Sequence, residues 1–465
     1  MSLFTRLKAT IALIFLISLA MSATFMSPHL GTTHAASTSG TLANWPQVGE
    51  NPQHTCVNPA ERMLSPSTVS RLTLAWSYAT RSEGVSGAVV ANGLVYVAAL
   101  DGTLSALDAR TGSLTWHYTS SSALESSPIV AGGLVYVGSF DGTMYALHAT
   151  TGALHWRSKL GGHIYNAPTL VQGVLYIGAA VDTGRLYVHT LSALDAATGK
   201  LRWSYTLPGY FLFTTPAVDR GVIYVGSDAG RVMALDTATG KLIWTFAAGG
   251  SVYAAPSAAN GLVYVSTSAG GRTLFALDAR TGKLAWSSLI DGESGFGGMA
   301  AIYRGEVLIG SNDRGLYALN ARTGTLTWSY LPPDGNGGFF GSPAVANGVV
   351  YVSSYGVEMA LDTRTGKPLW SYATGGVIYV PTVVDNGMVY VGSSNGTFYA
   401  FALQQGSWEK QARTWHGDRL WGMLLGNTHL HEEWPKLSGT RVTRIAAELT
   451  TLVRVCIRGH PFEGG

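Results

Sequence analysis

Charge is scarce in this chain of 465 residues. Asp, Glu, Lys and Arg make up 12%, against about 25% in ordinary soluble domains. The net charge is +3 and no cluster of Lys and Arg stands out, which excludes a nucleic-acid partner, since phosphate backbones need clustered cations. Cysteine is nearly absent. Cys56 and Cys456 are the two present, excluding a disulfide-dense module, a CxxC pair and a CxxCH haem attachment. Beyond the first 26 residues no apolar run is long enough to span a bilayer. What the chain does have is 58 glycines, 13 tryptophans, 22 tyrosines and 46% apolar residues. That balance suits many short strands joined by tight turns and excludes helical bundles, coiled coils and acidic disordered chains. Length alone would suggest about three domains at roughly 150 residues each.

The first segment reads as an address. Arg6 and Lys8 precede an apolar run from Ile11 to Met21, and small residues follow up to Ala35-Ala36. That is the layout of a secretory signal over residues 1–36, in which cleavage after Ser22 or Ala35 would fit, Ala35 being preferred. The stretch from Ala9 to Met26 is also just long enough to stay as an uncleaved membrane anchor. No cysteine sits there for a bacterial lipid anchor. The expected location is exported: extracellular, or in the cell envelope, and periplasmic if the cell has two membranes.

A repeat decides the architecture. Tryptophans at 76, 116, 156, 203, 244, 286, 328 and 370 are spaced 40, 40, 47, 41, 42, 42 and 42 residues apart. A period near 40 with alternating apolar and polar residues is that of a four-stranded propeller blade. In one repeat the strands read Pro128 to Ala131, Leu134 to Ser139, Thr143 to Leu147 and Leu154 to Ser158. The first turn ends in glycine eight times, from Gly93 to Gly387, because a tight hairpin needs positive φ there. The reading is all-β: an eight-bladed propeller of four-stranded antiparallel blades over residues 72–406. The strand Leu72 to Tyr78 has no blade before it, and Val377 to Leu403 has three strands and no fourth. The N-terminal strand is therefore expected to complete the last blade and close the ring.

The phrase Ala106-Leu107-Asp108…Thr111-Gly112…Trp116 recurs up to Ala360…Trp370 and resembles the tryptophan-docking motif of PQQ-like (pyrroloquinoline quinone) repeat propellers. The resemblance covers about residues 72–403. It implies that Trp76, Trp116, Trp156, Trp203, Trp244, Trp286, Trp328 and Trp370 dock neighbouring blades. One branch of the family comprises quinoprotein dehydrogenases holding PQQ and Ca2+, many with a floor tryptophan and two adjacent cysteines. Here no Cys-Cys pair exists and the repeat tryptophans sit at docking positions. The nearly minimal blades resemble the other, non-enzymatic branch, which includes a propeller of outer-membrane assembly. The resemblance thus implies a non-catalytic binding or scaffold protein, with no cofactor expected. A PQQ- and Ca2+-dependent dehydrogenase and a carbohydrate-binding propeller are the alternatives.

Function is expected on loops that vary, on the face where each outer strand crosses to the next blade. Those loops carry Glu125, His163, Tyr165, Asn166, Tyr210, Phe211, Tyr253, Glu293, Phe296, Phe339 and Tyr379. As a ring of aromatics with few charges they would suit an apolar or extended polypeptide, or a glycan. The competing reading has Tyr165, Tyr253 and Tyr379 begin inner strands and pack between blades. Asp101, Asp141, Asp228 and Asp313 adjoin turn glycines and read as turn caps. No Ser-His-Asp or HExxH pattern appears, so no catalytic residue and no metal site is assigned. Residues 181–190 lengthen a hairpin and offer either an edge for a partner strand or a neutral loop. Residues 37–71 form a lead-in. Residues 407–465 form a C-terminal extension, helical or disordered, with His429-x-His431-Glu432 as a weak metal pattern. A Cys56–Cys456 bridge would tie the two ends. The whole is expected to be a monomer.

Overall fold

The computed structural model describes residues 45–404, apart from 81–83, 183–186, 208–213, 269–272, 290–297, 312–314, 333–337 and 340. Alternating apolar positions and two-residue turns make the described chain a succession of antiparallel hairpins. They form eight sheets, here called blades one to eight. The blades cover residues 85–119, 129–159, 169–207, 217–247, 257–289, 301–330, 344–373 and 383–403. In blade two the strands are Ile129–Ala131, Leu134–Gly138, Thr143–His148 and Leu154–Lys159. The three inner strands are buried, while the outer one alternates. Strand Leu72–Ala79 pairs antiparallel with Thr397–Leu403 and supplies the fourth strand of blade eight, closing the ring as expected.

Each outer strand carries a register shift just before its tryptophan, for example between Leu154 and Trp156. Such a bulge breaks the flat outer edge that would otherwise invite another chain. The indole N–H then reaches the next blade. Trp116 donates to the Ala149 carbonyl at 2.9 Å and Trp286 to the Ala321 carbonyl at 3.0 Å. Tyr264 donates to the same Ala321 carbonyl at 3.1 Å, so one oxygen ties two side chains of blade five to blade six. The turn following that carbonyl passes under the ring. At Gly324, φ is +72°, and a Cβ would lie 2.5 Å from Trp286 Cε3. Gly324→Ala therefore meets both a left-handed backbone and a wall. A loss of at least about 2 kcal/mol in urea-melt stability is expected, because the backbone alone costs about 1–2 kcal/mol.

The pattern changes where the ring closes. No blade follows blade seven with a complete turn of this kind, so Trp370 donates to Leu72 at 3.0 Å instead. The buried Tyr351 hydroxyl is left with no hydrogen-bond partner. Glu358 is fully buried in blade seven, at the place held by Leu104, Leu274 and Leu316 in other blades. The hydroxyls of Ser353 and Thr382 donate to its carboxyl.

The lead-in is not outside the ring. Trp45 exchanges two backbone hydrogen bonds with Val90 of blade one, and the chain then visits every blade in order. Val130 donates to Pro46, Leu170 to the Gln47 side chain, Val218 to Pro52, Ala258 to Gln53, Ile302 to Thr55 and Val345 to Cys56. Asn58 completes the tour by donating to the Val384 carbonyl of blade eight at 2.8 Å. These donors lie in the innermost strands, whose axial edges have no other strand to pair with, so the lead-in satisfies groups that burial would otherwise leave orphaned. It also folds across itself, Cys56 N–H donating to the Gly49 carbonyl at 2.9 Å. None of residues 45–58 is exposed.

Candidate functional site

The mouth loops share a local rule. In Leu124-Glu125, Ile164-Tyr165, Val252-Tyr253 and Ile378-Tyr379 the first residue is buried at 1% or less. In two of them it fills space that a glycine leaves at the end of a second strand. A Cβ at Gly138 would stand 2.3 Å from Ile164, and one at Gly226 would stand 2.2 Å from Val252. With one side chain anchored inward, the next is thrown outward, as extended backbone dictates. Tyr253 is 46% exposed and Tyr379 62% exposed. The inner strands begin only at Thr169, Ser257 and Val383, so the tyrosines do not start them.

Glu125, His163 and Tyr165 are brought together beside blade two, and Phe140, which the sequence reading did not single out, completes the group. Phe140 and His163 stack with centroids 4.1 Å apart, and Tyr165 meets Phe140 edge-on at 5.7 Å. The loop is held by His163, whose backbone exchanges hydrogen bonds with Ala180 at 2.8 and 2.9 Å. That strand is Val174–Asp182, lengthened by the insertion read at 181–190. Burial raises the Glu125 carboxyl, and His163 opposes the shift. Asn166 is half-buried next to this group. Tyr253 and Tyr379 stand in other blades. Phe339 is a correction: it is fully buried and packs where a Gly310 Cβ would lie 2.6 Å from it. It is the inward anchor of its loop. Tyr210, Phe211, Glu293 and Phe296 lie outside the described residues, as do Asp313, Cys456 and the extension 407–465.

Turn chemistry accounts for two of the mouth aspartates. Asp101 accepts the Thr103 N–H at 2.8 Å, and Asp141 accepts from Ser139, Ser121 and Thr143. Those hydrogen bonds overcome burial and hold the Asp141 carboxyl well below the usual range. The axis of the ring carries ionisable groups that no repeat pattern announced. Burial pushes the Cys56 thiol up to about 12, helped by Glu50. Burial also lowers His54 to about 4, against its hydrogen bond with the Pro256 carbonyl. A thiol so protonated is no nucleophile, and the pair reads as packing.

The described residues do not fit the quinone and Ca2+ pair. All eight repeat tryptophans give their indole N–H to a backbone carbonyl at 2.9–3.2 Å, so none is spare as a floor. Among the described residues Asp101 and Asp141 are spent on their own turns, Glu125 stands in a mouth loop, and a Ca2+ site needs six or more converging oxygens. Among the described residues no three His, Cys, Asp or Glu side chains gather as metal ligands.

A family model described as outer membrane protein assembly factor BamB matches residues 120–210, 169–225 and 189–412. BamB from Moraxella catarrhalis is similar in structure, with a TM-score of 0.58 at 21% identity, over 72% of this chain and 98% of that one. The quinohemoprotein alcohol dehydrogenase from Comamonas testosteroni gives 0.65 at 19%, over 80% and 82%. A europium-containing methanol dehydrogenase gives 0.63 at 16%, over 78% and 98%. No curated protein matches in sequence. Likenesses at these identities speak for the fold alone, and fold does not carry chemistry. The family match is broader evidence: spanning more than half of the residues with the repeat just described, it places this chain in the PQQ-like repeat propeller family to which BamB belongs.

Proposed function

We propose that this chain is an exported, non-catalytic binding or scaffold propeller that takes a polypeptide partner at its mouth. One observation carries the reading: Tyr253 and Tyr379 are held outward beside buried anchors. Aromatic side chains fixed in this way offer contact area at little entropic cost. The leader layout supports export, and the match to an assembly-factor model supports a protein partner. The eight tryptophans are read as blade-docking residues, their N–H groups being spent between blades. Among the described residues no helix is long and apolar enough to cross a membrane, so attachment would rest on the N-terminal run.

The test is site-specific photocrosslinking in the native host, with the reactive residue at 253 or 379 and a control at Lys241 on the opposite face. The expected result is one discrete polypeptide adduct from the two mouth positions and none from the control. Tyr253→Ala with Tyr379→Ala should cut partner retention at least tenfold while leaving the melting temperature within about 2 °C, since exposed positions change stability little. Adducts from the control alone would refute the mouth as the site. Retention on immobilised glycans, lost in the same double variant, would replace the polypeptide by a carbohydrate.

A further inference from the structure

The lead-in needs one or two residues to pass from one blade to the next, except between blades three and four. There Gln47 meets Leu170 and Pro52 meets Val218, and residues 48–51 form a turn closed by the Glu50 N–H donating to the Gln47 carbonyl. On the turn face of the ring, opposite the mouth, a cleft of about 410 Å3 opens between these two blades and is roofed by Pro52 and Gln53. That volume is in the range of small-molecule sites, roughly 300–1,000 Å3.

The charged residues of the lining are both cations. Arg202, Arg220, Gln53, Gln172 and Thr237 supply its polar side chains, no Asp or Glu is among the lining residues, and the Gln53 amide donates to the neighbouring Asp219 at 3.5 Å. Arg202 meets Asp195 through Nη2 at 2.6 Å, and Arg220 faces Asp219 through Nε at 3.8 Å. A guanidinium has five N–H groups, so each keeps donors beyond its aspartate. The side chains of Arg202 and Arg220 are 47% and 80% exposed. The apolar wall is made by the partly exposed Val171 and Trp203, while Tyr176 is buried. Trp203 and Tyr176 both donate to the Thr237 carbonyl, at 3.0 and 3.3 Å, so what Trp203 offers a ligand is ring surface. Planar donors beside an apolar wall match a carboxylate carrying an apolar group.

We propose that this cleft is a second binding site, separate from the mouth, for an organic carboxylate with a short apolar body. The carboxylate meets Arg202 and Arg220, and the body lies on Trp203 and Val171. A free short acid and the C-terminal carboxylate of a polypeptide share this chemistry.

The test is calorimetric titration of the intact protein with N-acetyl-L-leucine, N-acetyl-L-leucinamide and hexanoate. Both acids are expected to bind with millimolar affinity or better, and the uncharged amide at least tenfold more weakly. Arg220→Ala should weaken both acids about tenfold, as should Arg202→Gln, which checks the result should either variant misfold. Tighter binding of N-acetyl-leucine assigns the site to a chain end, and tighter binding of hexanoate to a free acid. Equal binding of the amide, no saturation by either acid below about 10 mM, or binding unaffected by both substitutions would overturn the proposal.

Discussion

Deleting residues 45–58 is expected to abolish the cooperative unfolding transition rather than weaken it. This segment makes at least one hydrogen bond with each blade. At a net worth of roughly 1 kcal/mol per hydrogen bond, and more where a donor is left buried and unmatched, the set approaches the roughly 5–15 kcal/mol by which domains are typically stable. The buried Trp45 ring adds about 3–5 kcal/mol on the usual scale for removing a core aromatic. Far-UV circular dichroism and tryptophan fluorescence through a urea titration would read the outcome. A sharp transition retained in the deleted protein, with a midpoint near that of the intact chain, would show that the segment merely decorates the channel.

Stability should also fall as the pH rises from about 5.5 to 8.5. Burial pushes Glu358 up to about 8 against the hydroxyls of Ser353 and Thr382. It lifts Asp385 to about 7 with help from the Glu61 charge and opposition from Asn386, and Glu50 to about 7 against Asn51. In the folded state these carboxyls keep protons that the unfolded chain has released above its ordinary value near 4. The folded state therefore binds more protons across this window, and its advantage is lost as pH climbs through it. Glu358 alone accounts for about 3 kcal/mol between pH 5.5 and 8.5, at 1.36 kcal/mol per pH unit. His54 acts in the opposite sense, since it stays neutral when folded down to about pH 4 while the unfolded chain takes up its proton below 6.5. The optimum should accordingly lie in mild acid. Urea midpoints measured across the range test this, and Glu358→Gln should flatten the profile by about half. An unchanged profile in that variant would remove Glu358 as the cause.

The blades were legible because they repeat. Gly93 to Gly387 fix one turn eight times, Trp76 to Trp370 fix the phase, and a strand short at one end matched a strand extra at the other. The mouth was legible in part. Glu125, His163 and Tyr165 converge, but Phe340 and Phe339 look alike in sequence, and only the packing against Gly310 shows that Phe339 is the inward anchor. Phe140 was missed because it stands beside an Asp-Gly turn and outside the variable loops. The course of residues 45–58 was illegible for a different reason. Its partners are backbone N–H and C=O groups, which the main chain carries whatever its side chains, so no side-chain pattern could announce them. Glu358 could have been found, being the one acid at a position that the other repeats fill with apolar residues.

A segment that greets each blade in turn is also a tally. Propeller genes can change blade number by duplicating or dropping a repeat, and a ring held only by contacts between neighbours would tolerate seven or nine with a modest change in curvature. Here such a change would misnumber the axis. With one blade more, some inner strand would find no carbonyl opposite its N–H. With one fewer, Asn58 would arrive with no Val384 to meet. The strand that closes the rim fixes where the ring ends, while the thread through its centre fixes how many blades it holds.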